Sequence, residues 1–346
     1  MRRAAAWFSL ALVVGGCGAE LTQTLAPPPY VDRDDGQAAP VGSGRAFVVS
    51  DLELLGPACT PGLGCASGRF TVNGLGGLIN DQLRQGLLGG ESLTVLELTG
   101  IDRPDVDTDT RMEVRVYRAG DADSPLYPGN NFAVREDETT CCEYEVAADG
   151  LDDARRPRHV LRGQLDRGAL EASAPQDSSV AINLFWLESA DGTLGRSTIE
   201  LTGVRLVGRL GQRSPEERGP RPETLEDLLL TGTWTLQALA TTPTPYSYCR
   251  PQGVPFCGAP GSRPSSLNML LFFTQPDVDL DGDGLERVET DALGTITGCL
   301  DGSGAVVPPL EPGRPETCAL SPRMADGYAM QIKLRALSAT IVRVGP

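Results

Sequence analysis

Histidine is almost missing from this chain: His159 is the only one in 346 residues. Ser-His-Asp and Cys-His catalysis, and zinc sites built on paired histidines, all require an imidazole. Only His159 could supply it, and it lies in Arg155-Arg156-Pro157-Arg158-His159, a basic turn leading into a strand, where a surface role is expected. Lysine is equally scarce, Lys333 being the only one among 30 basic residues. Aromatic residues make up 5% of the chain. Trp7 sits in an N-terminal apolar run, and Trp186 and Trp234 fall in apolar strands and are read as core, which leaves no platform for stacking sugars. There is no Gly-rich phosphate loop, no nucleophile elbow and no His-Glu-x-x-His helix. Positive charge is in deficit, with 46 acidic residues against 30 basic and a net charge of −16. Such a body is repelled by nucleic acid and by anionic headgroups, so no nucleic-acid partner is expected.

The N-terminus carries the first positive signal. Met1-Arg2-Arg3 is a basic n-region, and Ala4 to Val14 is apolar, too short to span a bilayer but suited to a secretory h-region. Val14-Gly15-Gly16-Cys17 follows directly. This tetrapeptide resembles the lipobox of bacterial lipoproteins, and the resemblance covers about the first twenty residues. It implies that residues 1–16 are a signal peptide and that Cys17 is lipidated and becomes the mature N-terminus. In the lipoprotein families it resembles, aspartate after the cysteine marks inner-membrane retention, so Gly18 implies the outer membrane, contacted through the lipid alone. Surface and periplasmic orientations both stay open. Removing residues 1–16 takes away Arg2 and Arg3 and moves the charge from −16 to −18. Residues 17–44 contain Ala26-Pro27-Pro28-Pro29, Asp32-Arg33-Asp34-Asp35-Gly36 and Gly42-Ser43-Gly44 without apolar periodicity. They read as a disordered tether reaching on the order of 30 Å from the lipid.

Eight further cysteines, Cys59, Cys65, Cys141, Cys142, Cys249, Cys257, Cys299 and Cys318, are an even number in an exported chain and predict four disulfides. In the second half the local pairs Cys249–Cys257 and Cys299–Cys318 are expected. In the first half Cys59–Cys65 would force Cys141 and Cys142 into a strained ring between neighbours, so crossed pairing carries equal weight.

From Arg45 onward short alternating runs predict strands at Ala46–Leu55, Gly68–Val72, Leu93–Leu98, Met112–Arg118, His159–Leu165, Val180–Glu188 and Ser197–Leu210. Leu75, Ile79, Leu83 and Leu87 recur every fourth residue and predict one helix over Leu75–Leu88. Residues 211–223, dense in proline and charge, read as a linker. Beyond it a short helix is expected at Thr224–Leu230, with strands at Thr233–Ala240, Leu267–Phe273, Tyr328–Leu334 and Ala339–Val344. The halves share an order of landmarks: a cysteine pair, Ser-Leu (Ser92-Leu93; Ser266-Leu267), Pro-Asp-Val-Asp-x-Asp (104–109; 276–281), a second cysteine pair, and Ile-x-Leu (199–201; 332–334). The expected fold is therefore mainly β. It comprises two related, disulfide-bonded, β-sandwich-like domains at 45–210 and 224–346, each with at most one short helix.

Chemistry is concentrated in one stretch, Asp277-Val-Asp279-Leu-Asp281-Gly-Asp283-Gly284-Leu285-Glu286-Arg-Val-Glu289. Carboxylates at every second position turn inward when a loop curls, and glycine allows the tight bend. Over about thirteen residues this resembles the Asp-x-Asp-x-Asp-Gly calcium loops of EF-hand, dockerin and thrombospondin type 3 modules. The resemblance implies Ca2+ as a structural cofactor. It puts Asp279, Asp281 and Asp283 at loop positions one, three and five, Gly284 at the bend, and the Leu285 carbonyl next. The pattern fails at the twelfth position, which is Thr290, or Val288 if the frame starts at Asp277. Glu286, Glu289 or Asp291 is left to close the shell. An apolar β run rather than a helix is expected to lead in, so the loop reads as one grafted between strands. The matching loop of the first half, Asp102, Asp105, Asp107 and Asp109, has no glycines and reads as a solvated turn, as do Asp121 and Asp123.

Tyr246, Tyr248 and Phe256 cluster around Cys249 and Cys257 in a Pro-rich loop that is the best candidate for a contact surface. The leading expectation is an outer-membrane lipoprotein whose calcium- and disulfide-stabilised β domains act in surface structure, adhesion or protein binding. Its partner would be an envelope or extracellular protein or a glycan. The alternative is an exported carboxylate-dependent, glycosidase-like hydrolase, which needs no histidine; no catalytic residue can be nominated for it.

Overall fold

Alternation of side chains sets the walls of the molecule. In β5 (Val160–Asp166) Leu161 and Leu165 are buried while Gln164 and Asp166 face water, the signature of a strand with one face on a core. The same pattern recurs in β6 (Ala169–Ser173), β8 (Leu194–Leu210) and β9 (Thr224–Thr235), whereas β2 (Thr94–Thr99) and much of β1 (Arg45–Gly56) and β3 (Asp109–Asp121) are buried on both faces; β13 (Gly327–Val344) completes the set. In this computed structural model the described residues are 40–56, 80–81, 83–84, 86–87, 93–101, 108–121, 143–175, 178–188, 194–211, 223–242, 265–271 and 275–345. Cys17 with residues 1–39, the cysteines other than Cys299 and Cys318, Asp102, Asp105, Asp107 and Asp123, and the loop bearing Tyr246, Tyr248 and Phe256 lie outside them.

The eight strands close on themselves. Following the pairings, β1 joins β2, then β3, β5, β6, β8, β9 and β13, and β13 returns to β1, every pairing antiparallel. The result is an up-and-down barrel, which removes free edges by closure. Its interior is filled by Phe47, Val49, Val114, Leu161, Leu206, Leu228 and Ile332 among others. Outward positions such as Gln164, Asp166, Arg205 and Lys333 are exposed and polar. Two bulges keep this segregation in step. The slip between Val49 and Asp51 brings Leu52 and Leu54 inward and leaves Asp51 outside. Asp227, with φ of 50°, does the same between Leu225 and Leu228.

Two strands lie off the ring. β7 (Ser179–Glu188) pairs with the N-terminal part of β8 and carries Trp186. β4 (Glu143–Val146) runs antiparallel to the end of β3 and parallel to the end of β13. It covers a satellite apolar cluster of Ala46, Val48, Val95, Tyr117, Tyr144, Val146 and Leu151 on the outside of the barrel. This cover explains why β3, the cleanest alternation in the chain, does not expose its charged face. Arg115 and Glu97 are both buried there, 3.7 Å apart, with the Tyr117 hydroxyl donating to Glu97 at 2.8 Å and the Gly44 amide donating to its other oxygen at 2.8 Å. A buried charge is tolerated only when paired and hydrogen-bonded in this way.

The mainly β class is as expected, but the two separate sandwiches are not what forms. β13, from the second half, is bonded on one side to β1 and on the other to β9. Residues 211–223 connect β8 to β9, which are adjacent antiparallel strands of the same ring. The repeated landmarks also fall on unlike elements: Ser92-Leu93 leads into β2, whereas Ser266-Leu267 begins a helix. Local readings were overturned nearby for identifiable reasons. Thr224–Leu230 is strand rather than helix because β8 and β13 pair with it on both edges, and tertiary pairing outweighs local propensity. The expected strand at Thr233–Ala240 continues only to Thr235, whose hydroxyl accepts from the Ala238 amide at 3.2 Å and caps α1 (Leu236–Thr241). The described part of the β run expected at Leu267–Phe273 is helical instead: Ser266–Leu271 forms α2, with Leu267, Leu270 and Leu271 buried at helical spacing. The helix expected over Leu75–Leu88 is present at its described positions, with Leu83 and Leu87 in the core.

Between α2 and β13 the chain makes an excursion. A small antiparallel sheet of β10 (Arg287–Thr290), β11 (Ile296–Leu300) and β12 (Val306–Val307) is followed by a 3-10 helix at Pro315–Leu320. Its apolar side, with Val288, Ile296, Val307, Ala319 and Met324, belongs to the same core cluster as the barrel interior. Cys299 and Cys318 sit at disulfide distance here, Cα–Cα 5.9 Å, forming the local pair expected from sequence.

Candidate metal centre

The acidic stretch lies where the chain passes from α2 to β10, and backbone geometry makes it a loop. Gly282 and Gly284 have φ of 78° and 108°, a region that side-chain-bearing residues rarely enter. Asp279 organises the curl: one carboxylate oxygen accepts from the Gly282 amide at 2.7 Å and the other from the Gly284 amide at 3.1 Å. Asp281 accepts more weakly from the Asp283 amide, at 3.3 Å. The consequence is that one carboxylate oxygen from each of Asp279, Asp281 and Asp283 lies within 4.8 Å of the others, all three side chains exposed. Among the described residues this is the only group of three such ligands. Three like charges brought this close repel one another, and a cation among them would relieve that repulsion.

The remaining sequence candidates separate. Glu286 is completely buried, its carboxylate accepting from the amides of Ala325 at 2.6 Å and Asp326 at 2.9 Å. Asp277 is turned toward β13 and accepts from the Ala329 amide at 2.9 Å. Leu285 follows the bend with its side chain about half exposed. Glu289 lies on β10 opposite Gly298, and Asp291 serves the β10–β11 turn, accepting from the amides of Leu293 and Thr295. Neither joins the converging group. In the first half Asp109 accepts from the Arg111 amide at 2.8 Å at the start of β3. His159, expected at the surface, is half-buried, with Nδ1 3.0 Å from the Ser179 carbonyl.

One participant was not visible in the motif. Asp326 stands immediately before β13, is completely buried, and accepts from the amides of Leu280 at 3.0 Å and Glu286 at 2.8 Å. Asp326 and Glu286 thus grip each other's backbone across forty residues of sequence. No local pattern marks Asp326, which is a single aspartate in Met324-Ala325-Asp326-Gly327. The only sequence cue is that an Asp-Gly pair precedes a strand.

The electrostatics are those of a site short of positive charge. Burial pushes the Glu286 carboxyl up to about 7, with the charges of Asp326 and Asp281 adding to the rise and backbone amides opposing it. Asp326 is raised by burial and then by Asp279 and Asp281. Asp283 is raised by desolvation and then by Asp281, Asp301 and Asp326. Asp277 is raised by desolvation, its bond from the Ala329 amide opposing the rise. No arginine or lysine among the described residues pairs with Asp279, Asp281, Asp283, Glu286 or Asp326. On the β11–β12 turn Asp301 is paired with Arg323. Hard oxygen ligands at this spacing could hold a hard metal ion rather than a thiophilic one.

Comparison with family models, curated proteins and solved structures finds no match for this chain.

Proposed function

We propose that this chain is an exported, lipid-anchored outer-membrane protein whose β-barrel body binds structural calcium and acts in surface structure, adhesion or protein binding. The observation that carries the calcium reading is the convergence of Asp279, Asp281 and Asp283 within 4.8 Å, backed by the buried carboxylates of Glu286 and Asp326 with no cationic side chain among them. The loop sits on the excursion whose apolar side continues the barrel core, so neutralising it stabilises the whole body. A cation at 100 times its dissociation constant would contribute about 2.7 kcal/mol.

Export and lipidation at Cys17 are supported by the basic n-region, the apolar run and Val14-Gly15-Gly16-Cys17. The polar outward face of the barrel supports a body held in water beside the membrane, since a spanning barrel presents the opposite pattern. The binding role is preferred over carboxylate-dependent hydrolysis for a concrete reason. Of the carboxyls displaced upward, Glu286 and Asp326 are fully buried and committed to backbone amides, so neither is offered to a substrate, and Asp277 is bonded to the Ala329 amide.

Calorimetric titration with calcium tests the reading. The wild-type protein is expected to show binding heat and a raised melting temperature, and Asp281→Ala with Asp283→Ala to abolish both. Absence of calcium-dependent heat and of any melting shift in the wild type would overturn the calcium assignment. Protease shaving of intact cells separates the surface from the periplasmic orientation.

A further inference from the structure

The loop has walls, and two different segments provide them. One is the β11–β12 turn: Gly302 packs so closely on the loop that a Cβ there would overlap the Asp283 carboxylate and the Gly284 carbonyl. The other is the chain after the 3-10 helix, where Asp326 holds the amides of Leu280 and Glu286. These segments are joined to each other twice. Cys299, three residues before Gly302, is bridged to Cys318 in the 3-10 helix, eight residues before Asp326. Asp301, next to Gly302, is paired with Arg323, three residues before Asp326. Asp301 is itself fixed, accepting from the Ser303 hydroxyl at 2.7 Å and the Ala305 amide at 2.8 Å. Both cysteines are buried, and Arg323 is about half exposed.

We propose that the Cys299–Cys318 bridge and the Asp301–Arg323 pair form a frame that sets the distance between the loop's two walls, and thereby the calcium affinity of Asp279, Asp281 and Asp283, without supplying a ligand. This rests on the calcium reading above and adds to it what controls the site. Opening the frame lets the Gly302 wall and the Asp326 wall separate. The Leu280 and Glu286 amides then lose Asp326 as their acceptor, and the curl that Asp279 holds between them loosens, so that the three carboxylates spread apart. Groups that hold metal ligands in place from behind typically govern affinity by about 10- to 100-fold. The frame residues are positioning residues in this sense.

Two variants of the full mature chain test this. Cys299→Ser with Cys318→Ser opens the bridge, and Arg323→Gln removes only the half-exposed ion-pair partner, so it remains informative if the double variant does not fold. Circular dichroism and amide exchange on β1, β5 and β9 report whether the barrel is intact. The first measurement is calorimetric titration with calcium chloride, where each variant is expected to bind about 10- to 100-fold more weakly with barrel exchange unchanged. Unchanged affinity in Arg323→Gln and in a folded double variant overturns the frame. The second measurement is amide exchange in EGTA at Leu280, Gly282, Gly284 and Glu286, whose amides all end on Asp279 or Asp326. Faster exchange confined to these four supports the frame. Exchange unchanged there, or raised uniformly across the barrel, overturns it. If the wild type takes up no calcium, the calcium reading and the control of affinity both fail, while the EGTA arm still decides whether the frame holds the walls.

Discussion

Glu97 shows what a single residue contributes that its neighbours cannot replace. Its carboxylate is completely buried and accepts from the Gly44 amide and the Tyr117 hydroxyl, with Arg115 at 3.7 Å as counter-charge. Arg115 has a second partner in Glu113, at 3.2 Å. Glu97→Ala leaves Arg115 and Tyr117 buried with a partner missing, and is expected to cost about 3–5 kcal/mol. Urea denaturation followed by tryptophan fluorescence measures this; a loss below about 1 kcal/mol would show that the pair is solvated. The charged face of Met112–Arg118 was legible as alternation, but its burial was not. What covers it, β4 and residues 40–44, comes from distant parts of the chain. The same limit applies at the acidic loop. Asp279, Asp281 and Asp283 were legible because their spacing is local, and Gly282 and Gly284 because loop curvature demands them. Asp326 was not, since its role depends on where β13 begins in space. Glu289 and Asp291 looked equivalent to Glu286 in sequence, and only the direction of β10 and its turn separates them.

At the scale of elements, the excursion carries its own pH dependence. Asp301 is held near 2 by the Ser303 hydroxyl, the Ala305 amide and Arg323, below the ordinary aspartate value. A carboxyl whose folded-state value is depressed contributes stability above its unfolded value and loses it as pH falls through the folded one. The excursion is therefore expected to weaken between about pH 4 and about pH 2. Glu286 runs the other way, its raised value of about 7 making its contribution complete at acid pH and lost as pH rises through neutrality. It therefore adds no slope to the acid window. Asp301→Asn should flatten the acid limb of melting temperature against pH in EGTA, and an unchanged limb would assign it to other carboxyls. The helix–strand exchanges near the excursion have a common physical origin. Leu267–Phe273 is an apolar run whose length suits either structure, and only the burial of Leu267, Leu270 and Leu271 together selects helix. Thr224–Leu230 has helix-forming leucines and acids, yet two edge partners impose a strand.

For the whole molecule the decisive feature is that the ring is shared. Strand positions and the inward set of apolar residues follow from alternation, which is why β1, β2, β5 and β7 fall close to where the sequence places them. Which strands pair is a global matter, and residues 211–223 have the composition of a domain linker while connecting two neighbours of one barrel. The two architectures make opposite predictions. If the chain were two domains on a leash, a specific protease site inserted within residues 212–222 would release two folded pieces after cleavage. In the barrel, β13 is bonded to β1 over Gln331–Ala339 and to β9 over Gly327–Leu337, and β8 to β9, so the halves share ladders on either side of the cut. The nicked protein is therefore expected to elute as one species of unchanged size under native, non-reducing conditions. It should separate into two fragments only in denaturant, and it should melt in a single calorimetric transition. Joining the ends of a cut loop concerns mainly closure entropy, which grows slowly with loop length, so the nick should lower the melting temperature without dividing the transition. Two peaks, or two species on native gel filtration, would mean that the strands flanking the cut do not hold one barrel together.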